Sequence, residues 1–186
     1  MMKETVKVGI IGSQFISTIH AESLMRCQSA EMLAVASPSV GNAKSFAAKH
    51  DIPHHFIDYR ELLAMAEIDM VVIGIPNHVH CEAVVAAAEA GKHIVIEKPL
   101  CLNMEEADLM VEAAKKANVK LMYAEELCFA PKYVRLKQLL DSGALGKPTL
   151  IKQSEKHDGP HAPHFWDVEQ SGGGVGLRAE SAHIYA

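Results

Sequence analysis

The amino-acid sequence predicts an α/β fold in which helices cover both faces of a doubly wound parallel sheet. Between residue 5 and about residue 125, short β-branched apolar runs alternate with longer segments whose apolar residues recur every three or four positions. This alternation is typical of strand–helix–strand units with parallel strands buried on both faces. The length of 186 residues allows one such domain and part of a second.

The apolar runs predict the strands, and the segments between them predict the crossover helices. Asn103 is a suitable N-cap with Glu105 and Glu106 in the first helical turn, and Gly91 ends the preceding helix. Strands are expected at 6–11, 32–36, 55–57, 70–75, 93–97 and 120–124, and helices at 15–25, 41–50, 58–66, 78–90 and 104–117.

The pattern changes after residue 125. A helix is expected at 131–141, followed by a turn and a strand from 149 to about 155, and then by a polar segment interrupted by prolines. We therefore expect a nucleotide-binding domain at 1–125 and the start of a second, α+β domain at 126–186.

Composition excludes several classes of protein. The net charge is -5 and no long basic run could follow a phosphate backbone, which argues against a nucleic-acid binder. The longest apolar stretches are shorter than the roughly 20 residues that span a bilayer, and the N-terminus lacks the apolar core of a secretory signal. Four widely spaced cysteines predict free, mostly buried thiols, so a cytoplasmic protein is expected.

A partial glycine motif follows the first predicted strand. Gly12 is present, but Gln14 and Ser17 stand where a G-x-G-x-x-G loop has its second and third glycines. The loop either presents a helix N-terminus to a dinucleotide or is an ordinary turn between a strand and a helix.

Two further polar motifs follow predicted strands at the edge where open α/β sheets bind ligands. Pro76-Asn77 and His80 follow one strand, and Glu97-Lys98-Pro99 follows the next. The charged pair Glu97 and Lys98 directly after a buried run favours a site, and a surface salt bridge is the alternative.

These motifs together resemble the Gfo/Idh/MocA family of oxidoreductases. The combination of I-P-N-x-x-H with a later E-K-P is specific for that family, and the likeness runs over roughly residues 5–175. Its segments are VKVGIIG at 6–12, DYRELL at 58–63, PN at 76–77, AGKH at 90–93, EKPL at 97–100, FAP at 129–131, SGALG at 142–146 and SGGG at 171–174.

The resemblance implies a Rossmann-type NAD(P)-binding domain and hydride transfer to or from a sugar, inositol or related polyol. Lys98 matches the family's catalytic lysine, which contacts the nicotinamide ribose and the substrate hydroxyl, and Pro99 follows a cis peptide in the family. The cofactor-binding residues expected are Gly12, Gln14, Phe15, Ile16, Ser37, Ser39, Lys44, Pro76, Asn77, His80, Glu97 and Lys98.

The end of the second predicted strand bears on the choice between NAD and NADP. An acidic residue there would bind the ribose 2′-hydroxyl of NAD and repel a 2′-phosphate, and the segment 36–39 contains none. Ser37 and Ser39 can donate hydrogen bonds to a phosphate and Lys44 lies one helical turn away, so NADP is favoured over NAD.

The sequence departs from the family near its end. The family has D-x-G-x-H after the glycines, whereas Arg178 and Glu180 stand at its first and third positions and His183, a second catalytic candidate, comes one residue late. We therefore expect a truncated second domain. The alternatives to an active dehydrogenase are a non-catalytic nucleotide-binding or interaction module and an inactive remnant; homo-oligomers are usual in the family.

Several other polar residues admit two interpretations. Glu125 and Glu126 follow the last predicted strand and either line the site or form a solvated pair. A histidine-rich segment has spacings able to hold a metal, but hydrogen bonding to a polyol is the better interpretation and no metal is predicted. Its residues are His157, Asp158, His161, His164 and Asp167.

Overall fold

A computed structural model describes residues 5–152, 154 and 166–172. Six parallel strands form one sheet in the order β3-β2-β1-β4-β5-β6, which confirms the predicted fold class. The strands are β1 (Val6–Ile11), β2 (Ala30–Ala36), β3 (His54–Phe56), β4 (Met70–Ile73), β5 (His93–Ile96) and β6 (Leu121–Tyr123).

Seven α-helices and two 3-10 helices lie in the described part of the chain. The helices are α1 (Phe15–Leu24), α2 (Val40–Lys49), α3 (Tyr59–Leu63), α4 (His80–Glu89), α5 (Met104–Lys116), α6 (Pro131–Asp141) and α7 (Val168–Ser171). The 3-10 helices are Asn77–Val79 and Glu126–Phe129. The helix expected at 78–90 thus starts as a 3-10 turn and becomes an α-helix at His80.

The predicted boundaries of α4 and α5 have the expected hydrogen bonds. Gly91 adopts a φ of 72°, and the N–H groups of Gly91 and Lys92 donate to Ala88 and Ala87, as in a Schellman motif. At the start of α5, Asn103 Oδ1 accepts the Glu106 N–H at 2.9 Å.

The strand expected from residue 149 is wrong for the described residues 149–152 and 154, which form neither strand nor helix. Leu150 and Ile151 are 74% and 62% exposed. An apolar run becomes a strand only beside a partner that accepts its backbone hydrogen bonds, and no strand of the described residues pairs with this segment.

Two apolar cores lie on opposite faces of the sheet. Ile10 and Val35 pack with Ala21 of α1 and Phe46 of α2 on one face. The larger core joins β4 and β5 to α3, α4 and α5, and Met110 is fully buried there. Alternate residues of the central strands face opposite cores, as expected for a parallel sheet covered on both sides.

The strand order reverses between β1 and β4, and open α/β sheets bind ligands outside the carboxyl ends of strands at such a point. Gly12 leaves β1 here with a φ of 114°, and a Cβ atom on it would lie 2.1 Å from the carbonyl oxygen of Gly74. Both the backbone conformation and the close approach therefore require glycine.

None of the helices in the described ranges combines the length and the apolar character that a bilayer crossing demands. The four cysteines form no disulfide bond among the described residues. Cys27 and Cys128 are exposed and Cys81 and Cys101 are half-buried, so the expectation of mostly buried thiols is wrong.

Replacing Gly12 with alanine tests the close approach of the Gly12 backbone to the Gly74 carbonyl. We expect Gly12→Ala to lower the free energy of unfolding by about 2–4 kcal/mol, because a strained φ adds to a clash with a backbone oxygen. Gly41→Ala in α2 is the matched control, since its new Cβ would meet nothing within 4 Å. Urea denaturation measures both; equal changes in the two variants would contradict the requirement for glycine at position 12.

Candidate cofactor and active site

The hydrogen-bond ladder of the sheet continues one residue past the ends of the strands. The Gly12 N–H donates to Ala36 at 2.8 Å, and the Gly74 N–H donates to Ile11 at 2.8 Å. On the other side, the Glu97 N–H donates to Ile73 at 3.0 Å. The turns that carry the predicted site residues therefore lie side by side at the carboxyl edge.

The start of α1 is open at this edge. Gln14 is the N-cap residue and makes no side-chain capping hydrogen bond. Phe15 is 78% exposed, Ile16 is half-buried, and the buried Ser17 hydroxyl donates to the Gly74 carbonyl at 3.4 Å. An α-helix whose first N–H groups lack a side-chain cap suits an anion, so this turn fits the diphosphate of a dinucleotide.

The residues predicted for the ribose end differ in accessibility. Ser37 is buried and accepts a hydrogen bond from the Ser13 hydroxyl at 2.8 Å, which leaves its own hydroxyl proton available for another acceptor. Ser39 is exposed and is the N-cap residue of α2, again without a side-chain capping bond.

A groove of about 280 Å³ between α1 and α2 adjoins this region and is lined by Gln14, Asn42 and Lys49 among others. Lys44 does not line the groove, because it lies two residues from Asn42 and so faces away from it on α2. The lysine beside the groove is Lys49, which the sequence alone did not single out.

The Glu97-Lys98 turn is held by a histidine that the sequence analysis missed. Glu97 is 7% exposed, and its Oε1 lies 2.8 Å from His20 Nε2 on α1. Its Oε2 accepts the Lys98 N–H at 3.1 Å, and the Lys98–Pro99 peptide is cis, as the family resemblance implied. The carboxylate thus fixes the backbone from which the Lys98 side chain extends. This arrangement favours a site over a surface salt bridge between Glu97 and Lys98.

The two glutamates after β6 have different surroundings. Glu126 is exposed, and its Oε1 lies 3.6 Å from Lys98 Nζ. Glu125 is buried, its Oε1 accepts the Leu127 N–H at 3.3 Å, and its Oε2 has no hydrogen-bond partner. Burial raises the pKa of the Glu125 carboxyl above its ordinary value.

Asn77 connects this edge to α7. Its side chain is buried and its Nδ2 donates to the Ser171 carbonyl at 2.6 Å. Pro76, which precedes it, is half-buried. Ser171 therefore lies beside the turn that follows β4, 94 positions earlier in the chain.

His80 is buried between the turns that follow β4 and β5. This position corrects the expectation that His80 binds the cofactor. Its side chain is 1% exposed. Nε2 lies 2.8 Å from the Ile75 carbonyl, and Nδ1 lies 3.0 Å from that of Pro99 and 3.2 Å from that of Leu100. Both ring nitrogens therefore face backbone carbonyls after β4 and β5, and the neutral ring, which carries one N–H, donates from one of them. Burial lowers its pKa despite the three carbonyls.

Several expected site residues lie outside the described residues, namely His183 and the histidine-rich residues His157, Asp158, His161 and His164. Asp167 is described and caps α7 by accepting the Glu169 N–H at 2.9 Å. Within the described ranges, no group of three or more His, Cys, Asp or Glu residues is arranged to hold a metal ion.

Replacing His80 tests its role as the link between two turns. We expect His80→Ala to lower the free energy of unfolding at pH 7.5 by about 2–4 kcal/mol, because the variant loses buried hydrogen bonds and leaves a cavity. Since the folded pKa of His80 lies below its ordinary value of 6.5, the stability it contributes is present above that pH and lost as the pH falls through the folded pKa.

The variant should therefore show a weaker fall in stability between pH 7.5 and pH 5 than the parent protein, as measured by urea denaturation at each pH. Burial also lowers the pKa of His50, so His50 still contributes to the fall in stability with pH in the variant. His78→Ala, at the exposed neighbouring histidine, is the control; a variant of His80 with an unchanged slope would contradict this role.

Comparison with known proteins agrees with this geometry. Residues 6–125 match a family described as an oxidoreductase family with an NAD-binding Rossmann fold. The chain is 31% identical to myo-inositol 2-dehydrogenase of Thermotoga maritima over 90% of its own length and 50% of that protein. It is 37% identical to scyllo-inositol 2-dehydrogenase (NADP(+)) IolU of Bacillus subtilis over 73% of its length and 41% of that protein.

A solved structure of scyllo-inositol dehydrogenase from Lactobacillus casei, with bound NAD(H) and scyllo-inositol, superimposes with a TM-score of 0.73 at 28% identity. The superposition covers 77% of this chain and 43% of that one. The chain spans about half the length of the curated relatives it matches. The extent of the family match, together with the parallel sheet and the edge described above, shows that the chain belongs to the Gfo/Idh/MocA family of NAD(P)-binding oxidoreductases.

Proposed function

We propose that the chain carries the cofactor site of an oxidoreductase that transfers a hydride between NAD(P) and a hydroxyl-bearing carbon of a sugar, inositol or related polyol. The observation that carries the proposal is the position of Lys98 directly after β5. The buried Glu97 accepts its backbone N–H, and its Nζ lies 3.6 Å from Glu126 Oε1. The relatives named as inositol dehydrogenases support the substrate class.

Each part of the edge has a role in this proposal. The uncapped start of α1 would hold the diphosphate and the turn at Pro76 and Asn77 would hold the nicotinamide, which would supply the hydride chemistry when bound. Lys98 exchanges a proton with the substrate hydroxyl and stabilises negative charge that develops on its oxygen. Glu97 and His20 keep the Lys98 backbone in place.

We also propose the division expected from the sequence, with 1–125 as the cofactor domain and 126–186 as the start of a substrate domain. The family match ends at residue 125, and the described residues beyond it add no strand to the sheet. The contact between Asn77 and Ser171 supports a second domain that begins over the cofactor edge.

Replacing Lys98 tests the proposed chemistry. We expect Lys98→Gln to lower turnover of myo-inositol or scyllo-inositol with NAD(P) by at least about a hundredfold, because the variant can neither exchange the proton nor supply the charge. Absorbance at 340 nm measures turnover, and fluorescence titration with NADH and NADPH measures binding. Lys132→Gln, at an exposed lysine on α6, is the control.

The two readouts separate the alternatives. Cofactor binding without turnover of any polyol by the parent chain would favour a non-catalytic nucleotide-binding module. A folded chain that binds neither dinucleotide would contradict the proposal as a whole.

Replacing Ser37 tests the preference for NADP. We expect Ser37→Asp to weaken NADPH binding at least about tenfold more than NADH binding, because a carboxylate would repel a 2′-phosphate and accept a hydrogen bond from a 2′-hydroxyl. Equal losses for both dinucleotides in fluorescence titrations would contradict this position for the ribose.

Lys49→Ala and Lys44→Ala form a matched pair: a selective loss of NADPH affinity is expected only for Lys49, which lines the adjoining groove.

A further inference from the structure

Three carboxyl groups and one lysine lie close together just after the C-terminal ends of β5 and β6. Glu126 lies 3.6 Å from the Lys98 ammonium, and Glu97 accepts the Lys98 backbone N–H. Glu125 lies beside them because the Ala124 N–H continues the ladder to Ile96 at 2.8 Å, which aligns the residues after β6 with those after β5. Three ionised carboxyls would outnumber the one lysine at this edge, where Lys98 lies near Glu126 and His20 contacts Glu97.

Glu125 is the carboxyl least suited to carry a negative charge. It is 5% exposed, one oxygen accepts a single backbone N–H, and the other oxygen is buried without a partner. An ionised carboxylate in this position would have lost water without gaining compensating hydrogen bonds. Burial raises its pKa, as do the charges of Glu126 and Glu97, while the Leu127 N–H and Lys98 act in the opposite direction.

We propose that Glu125 holds a proton beside Lys98. The protonated side chain limits the negative charge at the carboxyl ends of the strands, where the cofactor is proposed to bind. When the pH rises, Glu125 releases this proton to solvent and adds one negative charge to the edge. The charged and titratable groups around it are Lys98 and Glu97 after β5, Glu126 next to it, and His20 on α1, which contacts Glu97. The protonation does not depend on the proposed function, whereas its effect on cofactor binding does.

Carbon-13 NMR titration of the glutamate carboxyls tests the protonation directly. We expect one glutamate resonance of the chain to titrate at higher pH than the rest, and to be missing in Glu125→Gln, which keeps the shape of the protonated side chain. Glu112→Gln, at an exposed position on α5, should leave that resonance in place. If the resonance lost in Glu125→Gln titrates together with those of exposed glutamates, the proposal is wrong.

The pH dependence of NADH and NADPH affinity tests the consequence. We expect the affinity of the parent chain to fall about threefold across the titration of Glu125, because one more negative charge then lies near an anionic ligand. Glu125→Gln should not show this step, and Glu112→Gln should. A step of equal size in Glu125→Gln would overturn the role at the cofactor edge. If neither dinucleotide binds, the proposed function fails and the NMR titration alone decides the protonation.

Discussion

The parallel hydrogen-bond ladder positions the whole candidate site, because it continues beyond the residues that pack as strands. Gly12, Gly74 and Glu97 each donate a backbone hydrogen bond to the neighbouring strand after their own strand has ended. These bonds hold the turns in register where the sheet meets solvent. Side chains distant in sequence can then meet, as His20 and Glu97 do although β4 separates β1 from β5. The geometry of the edge therefore follows from the sheet before any ligand is considered.

The sequence predicted the fold well because its signals were local. The six strands and the order of helices follow from apolar periodicity, and the ends of α4 and the start of α5 follow from Gly91 and Asn103. The error after residue 148 has a clear cause: Leu150 and Ile151 have strand-forming character, but pairing depends on a neighbouring strand that periodicity does not reveal. A strand without a partner cannot satisfy its backbone groups except with water.

The site was predicted only as far as sequence position determines it. Lys98 and Asn77 could be placed at one edge because each follows a parallel strand. The partner of Glu97 could not, since His20 is in the interior of a helix, where a histidine gives no local sign of its contacts. Likewise, Glu125 and Glu126 are adjacent in sequence and opposite in burial. His80 was expected at the ligand, but its position at the start of α4 turns the ring toward three backbone carbonyls instead.

The contrast between Glu97 and Glu125 shows how one sheet edge can give two buried carboxyls different surroundings. Glu97 has a histidine on one oxygen and a backbone N–H on the other, so both of its oxygens have a partner. Glu125 has one backbone N–H and nothing on its second oxygen. A buried oxygen without a partner favours the protonated form of Glu125, since an ionised carboxylate there would lack hydrogen bonds that replace water. The difference originates in α1, which brings His20 to one carboxyl and, in the described structure, not to the other. The same helix that begins without a side-chain cap at this edge therefore also determines which of the two carboxyls has a partner on both oxygens.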